Sequence, residues 1–566
     1  MEQIPRPAQR RTVAQSDRRF AVRWAAICLL LVNLPYAALL LLTGAGERYT
    51  GVLFNPVDAY RYLGIMQHAH NGAWSFTNYF TYVRQAPIAI FGFYILLGKL
   101  VPGSTDPISL GIAFHVAGLI LSAVFIHQAW RLYGEVIASR AARRVAFVLL
   151  LVTSGVGVLV LVLGALGVHP LRETPYDLLF VESSAFFGLL AAPHFAAVLL
   201  LVAVYARSLH RIALTEGNGW GATAVGALSA ASLATIHTEK VGVVTIAAIC
   251  YLGWVAAFRR GPLHGNPRRL LQGALTVGAA VPYVVYAYDL TVANPTIANI
   301  LRQGTPPPVP DPIPYYVLGF GVTGLCAVWG LPRILRQPAN AAPGEILLWS
   351  LAVGGLVILV LPWTTIQHRG EALQLALAGL GGRELVHSIL PRLWRSRIFQ
   401  AAVTARLFGH SRRRLRLLSV NLVLILSSWS VLALSIGGMG AGRAIADQVY
   451  LGVDDPAALS WLRSNASSND VVFGSPPTLQ FVAAYSGTRA VWGDFAYTPD
   501  YESEGGALAR AFEGTTFHDY LVRRNVRWVY FGPREAAHAH FDPAKLDFLS
   551  AAHRDGGTVI YRVVAR

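Results

Sequence analysis

Eleven apolar runs of roughly 20 residues recur between residues 24 and 436, and they constrain this chain more than any other feature. They lie near 24–43, 108–130, 145–168, 193–209, 219–236, 241–258, 270–289, 314–331, 345–362, 372–390 and 417–436. A helix rises 1.5 Å per residue, so such runs can cross a hydrocarbon core of about 30 Å. Only 14% of the 566 residues are charged and 54% are hydrophobic, where a soluble chain carries about 25% charged residues. A soluble globular enzyme, a disordered chain and a fibrous protein are excluded. The sequence describes an α-helical polytopic membrane protein.

The formal charge of +17 invites a nucleic-acid reading, but its distribution argues otherwise. Residues 440–566 carry 12 Lys+Arg against 14 Asp+Glu, so the whole excess belongs to the membrane half. There, 26 of 35 cations fall in six segments: the N-terminus, 131–144, 207–211, 259–269, 333–336 and 391–416. These alternate with connections that carry few cations. Basic loops stay in the cytoplasm, so the pattern predicts a cytoplasmic N-terminus over 1–23, a transmembrane domain over 24–439 and an extracytoplasmic domain over 440–566. The segment Ala86–Pro102 decides the parity. As a span it would turn every later loop over, so it reads as a re-entrant or interfacial helix inside a long first outer loop, 44–107. Gln15-Ser-Asp-Arg-Arg-Phe20 loosely matches a twin-arginine signal, but no small-residue cleavage site follows Trp24–Leu42, which reads as a retained first span.

The C-terminal stretch has ordinary composition. Helices are expected at Pro456–Asn465, Leu479–Tyr485 and 506–524. Strands are expected at Asp470–Gly474, Arg489–Gly493, Val526–Gly532 and Thr558–Val564. This alternation suggests a small α/β domain with a mostly parallel sheet. Cys28, Cys250 and Cys326 all lie in apolar runs and imply neither disulfides nor a metal site.

On the predicted outer face sit the residues that can carry chemistry. Asp58 falls just after Pro56, at the start of a helix running to about His70. It reads either as a carboxylate complementing the helix dipole, worth about 0.3–1 kcal/mol, or as a general base toward an acceptor hydroxyl. Arg61 lies one turn on. Glu182 stands between apolar Leu178–Val181 and Ser183–Gly188, so it either pairs with a cation or orients a substrate. His194, after Pro193, reads as structural or as a ligand. His237-Thr238-Glu239-Lys240 interrupts two apolar runs, either as a solvated turn or as a contact for a lipid phosphate. Gln367-His368-Arg369 offers a guanidinium fork for the same group. No P-loop, dinucleotide fingerprint or Cys/His cluster appears.

Several separated stretches together resemble the GT-C superfamily of integral-membrane glycosyltransferases, in an uncharacterised bacterial branch. These are Asp58-Ala59-Tyr60-Arg61-Tyr62-Leu63 with Gly72-Ala73-Trp74, Phe91–Gly98, Glu182 with Phe186 and Pro193-His194-Phe195, and Pro362 with Gln367-His368-Arg369. In the C-terminal region they are Trp461-Leu462-Arg463, Asp470-Val471-Val472 and Tyr530–Glu535. The resemblance implies a fold of about 11 transmembrane helices plus a re-entrant or juxtamembrane helix, in the bacterial plasma (inner) membrane. It implies inverting transfer of a sugar from a polyprenyl-phosphate donor to a hydroxyl of a glycan, lipid or protein acceptor on the outer face. Asp58 would be the base and Glu182 the second acidic residue. Arg369 and Lys240 would hold the donor phosphate, with His194, His237, Gln367 and Arg61 around the substrate. Two departures stand out: Val57 and Ala59 flank Asp58 where many members pair acidic residues, and Gly370 replaces the second arginine of a Gln-Arg-Arg element. A lone aspartate is a poor site for Mg²⁺ or Mn²⁺, so no metal is carried over. The alternatives are a lipid-linked-saccharide translocase, for which no internal repeat or mid-membrane charge speaks, and an inactive envelope scaffold.

Overall fold

Each of the eleven apolar runs is helical over most of its described residues in the computed structural model, which describes residues 7–103, 106–168, 175–214, 218–258, 266–294, 297–298, 313–360, 370–404 and 412–564. Six helices among the described residues are long and apolar enough to cross a membrane: Gln15–Leu41, Pro107–Val136, Pro193–Leu214, Glu239–Phe258, Pro267–Ala293 and Pro314–Arg336. Two more runs are bent pairs, Arg140–Val152 with Gly157–Ala165 at 47° and Arg412–Ser427 with Trp429–Ala444 at 44°. The runs at 219–236 and 345–362 form the shorter helices Trp220–Ile236 and Pro343–Leu359. The last is Glu371–Glu384, continued by a π-turn at Leu385–Ile389. Local chemistry sets the starts. The Ser139 hydroxyl accepts from Ala142 N, the Asn266 side chain from Arg268 N, and Pro56 and Pro267 occupy first-turn positions that need no N–H.

The chain divides into two compact units. The first comprises residues 1–35, 118–285 and 306–437. Within it, acidic residues staple the arginine-rich segments. Asp17 holds Arg140, Arg143 and Arg144 at 2.7, 3.0 and 2.7 Å, and Glu135 holds Arg207 and Arg211, each at 2.7 Å. Buried Glu345 and Glu384 share Arg333 and Arg383. Elsewhere in this unit three helix breaks meet. Val156 N donates to Leu318 O at 2.9 Å, Ser154 N to Ser427 O at 3.1 Å, and Ser430 Oγ to Gly155 O at 3.2 Å. Cross-helix bonds thus satisfy backbone groups that the broken helices free, which a lipid environment would otherwise leave unpaired. Gly155 is required here: a Cβ would lie 2.3 Å from Leu318 O and 2.4 Å from Gly319 O.

The second unit joins residues 36–117, 286–305 and 438–566. Strand β1 (Glu47–Tyr49) pairs antiparallel with β2 (Tyr450–Gly452), Tyr49 opposite Tyr450. The larger sheet contains β3 (Val471–Phe473), β4 (Arg489–Ala490), β5 (Val526–Phe531), β6 (Leu549–Asp555) and β7 (Thr558–Val563), in the order β4-β3-β5-β7-β6. Strands β4, β3 and β5 run parallel, but β5–β7 and β7–β6 are antiparallel. The sheet is therefore mixed, not mostly parallel. The difference comes from β6, which pairs with β7 through a tight Gly556-Gly557 turn, Gly556 lying at φ +49°.

The first-loop segment builds onto this domain. Ala490 N donates to Tyr79 O at 2.8 Å, Thr498 Oγ1 to Phe80 O at 2.7 Å and Gln67 Nε2 to Tyr485 O at 2.7 Å. Within 86–102 only Gly92–Lys99 is helical, eight residues that rise about 12 Å. That is less than half a hydrocarbon core. It packs on the helix Pro56–His70, with the Gly98 Cα against the Met66 backbone.

Candidate active site

In the second unit, Asn55 at φ +45° turns the chain and Pro56 opens the helix, so Asp58 stands in its first turn. The two Asp58 oxygens accept from different donors, Oδ2 from the Asn55 amide and Oδ1 from Arg61 one turn on. Arg61 also donates through Nε to Asp494 Oδ2 at 2.5 Å, and its guanidinium lies 4.6 Å from the Tyr497 ring centroid. Exposure falls along this chain of charges. The side chain of Asp58 is 23% exposed, that of Arg61 7%, and that of Asp494 is enclosed. Burial opposes the Arg61 charge, but Asp494 and Asp58 outweigh it and hold the guanidinium protonated well above its ordinary range. Removing one partner of the buried Arg61–Asp494 pair costs about 3–5 kcal/mol.

Asp494 was not among the residues the sequence singled out. Its signal was present: a lone carboxylate in Val491-Trp492-Gly493-Asp494-Phe495-Ala496-Tyr497, the same apolar setting that marks Glu182. Both Asp58 oxygens are engaged, one by a cation, and this donor set does not fit a divalent ion. Among the described residues no three His, Cys, Asp or Glu side chains group as a metal site.

In the first unit, a break separates Trp220–Ile236 from Glu239–Phe258, and its residues converge. His237 Nδ1 lies 2.8 Å from Glu239 Oε1, and the His237 ring stacks on His194 at the start of Pro193–Leu214. Lys240, in the first turn after the break, is fully buried, as almost all of His194 and His237 is. Glu182 is 2% exposed in a turn at Val181–Ser183, just ahead of Ala185–Ala191, which Ser184 caps by accepting from Phe187 N. Gln367 and Arg369 lie outside the described residues. Gly370, directly after Arg369, is described, and it accounts for the missing second arginine. A Cβ there would come within 2.4 Å of Tyr176 Oη and 2.8 Å of the Glu182 carbonyl. No larger residue fits without moving the turn that carries Glu182.

No family model matches the chain, and no curated protein matches it. Solved structures do share its fold. The archaeal oligosaccharyltransferase AglB from Archaeoglobus fulgidus, in complex with an inhibitory peptide and a dolichol-phosphate, aligns at TM-score 0.54 and 11% identity, over 93% of this chain and 72% of that one. An oligosaccharyltransferase from the same organism, tethered to an acceptor peptide containing the NVT sequon, gives 0.51 and 13%, over 90% and 69%. ArnT from Cupriavidus metallidurans in the apo state gives 0.50 and 12%, over 97% and 98%. At these identities the likeness is one of fold. The chain shares the fold of these oligosaccharyltransferases and of ArnT, a mostly helical body with a small C-terminal sheet region.

Proposed function

We propose that this protein is an inverting glycosyltransferase that moves a sugar from a polyprenyl-phosphate donor to a hydroxyl acceptor on the outer face of a bacterial plasma membrane. The observation that carries the reading is Asp58, a partly exposed carboxylate fixed by Asn55 and Arg61 at the start of the first-loop helix. The fold shared with an oligosaccharyltransferase supports it. Asp58 takes the proton of the acceptor hydroxyl as that oxygen attacks the anomeric carbon. The bond from that carbon to the phosphate oxygen breaks, and polyprenyl phosphate leaves with the electron pair. Lys240 and Arg369 neutralise the donor phosphate, Lys240 as a point charge and Arg369 as a fork. Glu182 orients donor or acceptor, and His194, His237 and Gln367 line the donor site.

The test is turnover by the purified protein of undecaprenyl-phosphate-linked glucose, galactose, mannose and arabinose, read as release of undecaprenyl phosphate. Release from at least one is expected. Loss of a general base costs about 10²–10⁴-fold, so Asp58→Asn should fall by that factor while melting near the wild type. Full activity in Asp58→Asn removes the mechanism.

A further inference from the structure

We propose that Asp494 is a positioning residue for this reaction, a second carboxylate that shares the Arg61 cation and so leaves Asp58 able to accept a proton. The inference rests on the reading of Asp58 as base. It also makes the C-terminal sheet domain a contributor to the catalytic group, since Asp494 follows β4 within that domain.

Charge counting carries the argument. A structural ion pair needs one carboxylate for one guanidinium. Here Arg61 bridges two, so with both carboxylates ionised the group Asp58–Arg61–Asp494 carries one net negative charge; burial pushes the Asp494 carboxyl up, and the Arg61 charge opposes that rise. Burying the extra carboxylate is unfavourable unless other bonds hold it, and the fold supplies them. Ala496 N donates to Asp494 Oδ1 at 2.8 Å, and Thr498 Oγ1 accepts from Asp494 N at 3.1 Å. That threonine hydroxyl donates onward to Phe80 O of the first-loop segment, and Asn78 holds the Tyr497 carbonyl at 2.8 Å. The inner carboxylate is thus locked from both sides, and the exposed end of the group is Asp58. Without Asp494, Arg61 would face Asp58 alone as a neutral pair, its cation competing with the acceptor proton for the same oxygens.

The experiment is a mutant cycle on the full-length protein in nanodiscs, with the four undecaprenyl-phosphate sugars as probes and melting midpoints read alongside. Asp494→Asn should lower kcat about 10–100-fold with donor KM within about twofold, because only the proton-accepting step is weakened. Arg61→Gln leaves two facing carboxylates and should also lower kcat. Arg61→Gln/Asp494→Asn restores the net charge of the group and should recover about tenfold in kcat over either single variant. Wild-type kcat in Asp494→Asn overturns the inference, as does a double variant that recovers its melting midpoint but not its kcat. If Asp494→Asn does not fold, the double variant against Arg61→Gln decides: a kcat no higher than that of Arg61→Gln overturns it. A wild-type protein that releases nothing, or an active Asp58→Asn, defeats the underlying reading instead.

Discussion

The imidazole rings of His194 and His237 lie within 8° of parallel with their centroids 5.1 Å apart, although 43 positions separate the two residues in sequence. Glu239 fixes the inner ring through Nδ1, and Lys240 begins the next helix fully enclosed. Under the proposed function Lys240 meets the donor phosphate as a point charge. A hydrogen bond to a charged group contributes about 1.5–3 kcal/mol, or roughly 10–100-fold in affinity. Lys240→Met is therefore expected to raise donor KM by that factor with a smaller change in kcat. Competition by undecaprenyl phosphate, titrated against both proteins, checks it. An unchanged inhibition constant would remove Lys240 from the donor site.

Much of this arrangement is legible in the residues, and the gaps have physical causes. The helix opening at Pro56 and carrying Asp58 follows from proline at a first-turn position. The helical spans follow from apolar length alone. The partnership of Arg61 with Asp494 does not, because 433 positions separate them and no local pattern encodes their pairing. Strand β6 is hidden for another reason. Leu549-Ser-Ala-Ala-His-Arg-Asp555 has little β preference, and its extended form depends on β7 and the Gly556-Gly557 turn. The helix breaks at Gly155 and at Gly321, which stands at φ +52° inside Ile313–Trp329, lie inside apolar runs, where a glycine signals close packing as readily as unwinding.

The short first-loop helix offers a direct test of packing. A Cβ at Gly98 would lie 2.2 Å from Met66 O and 2.7 Å from Met66 Cα, both backbone atoms that cannot rotate away. Gly98→Ala should destabilise the protein by about 1–3 kcal/mol or more through forced backbone movement. Gly92→Ala, at the other end of the same helix with nothing within 4 Å, serves as the neutral control. Equal melting midpoints for the two variants would show that Gly92–Lys99 does not pack on Pro56–His70 as described.

His68 sets a pH dependence. Its ring stacks on Tyr79 with centroids 3.8 Å apart, and its Nε2 has no hydrogen-bond partner among the described residues. Burial, then the Arg489 charge, pushes its pKa down from 6.5 to about 3. The folded protein therefore binds fewer protons here than the unfolded chain between those values, and stability falls as pH drops below 6.5. The slope from this residue approaches about 1.4 kcal/mol per pH unit. His68→Gln should flatten the melting midpoint between pH 6.5 and 4.5 relative to wild type. Parallel pH curves for the two proteins would show that His68 is accessible to protons in the folded state.

The alternating arginine pattern makes a prediction about orientation. Gln337 follows Arg333 and Arg336 and is exposed, as is Ala552 in the C-terminal sheet domain. A cytoplasmic N-terminus and an odd number of spans put the first inside and the second outside. In intact cells a membrane-impermeant maleimide should label Ala552→Cys and leave Gln337→Cys unmodified until the membrane is opened. Of the native thiols Cys28 and Cys326 are buried, and Cys250, half-buried within an apolar helix, is replaced by alanine for the assay. Labelling of Gln337→Cys alone would invert the topology and place Asp58 in the cytoplasm, where a polyprenyl-phosphate donor facing outward could not reach it.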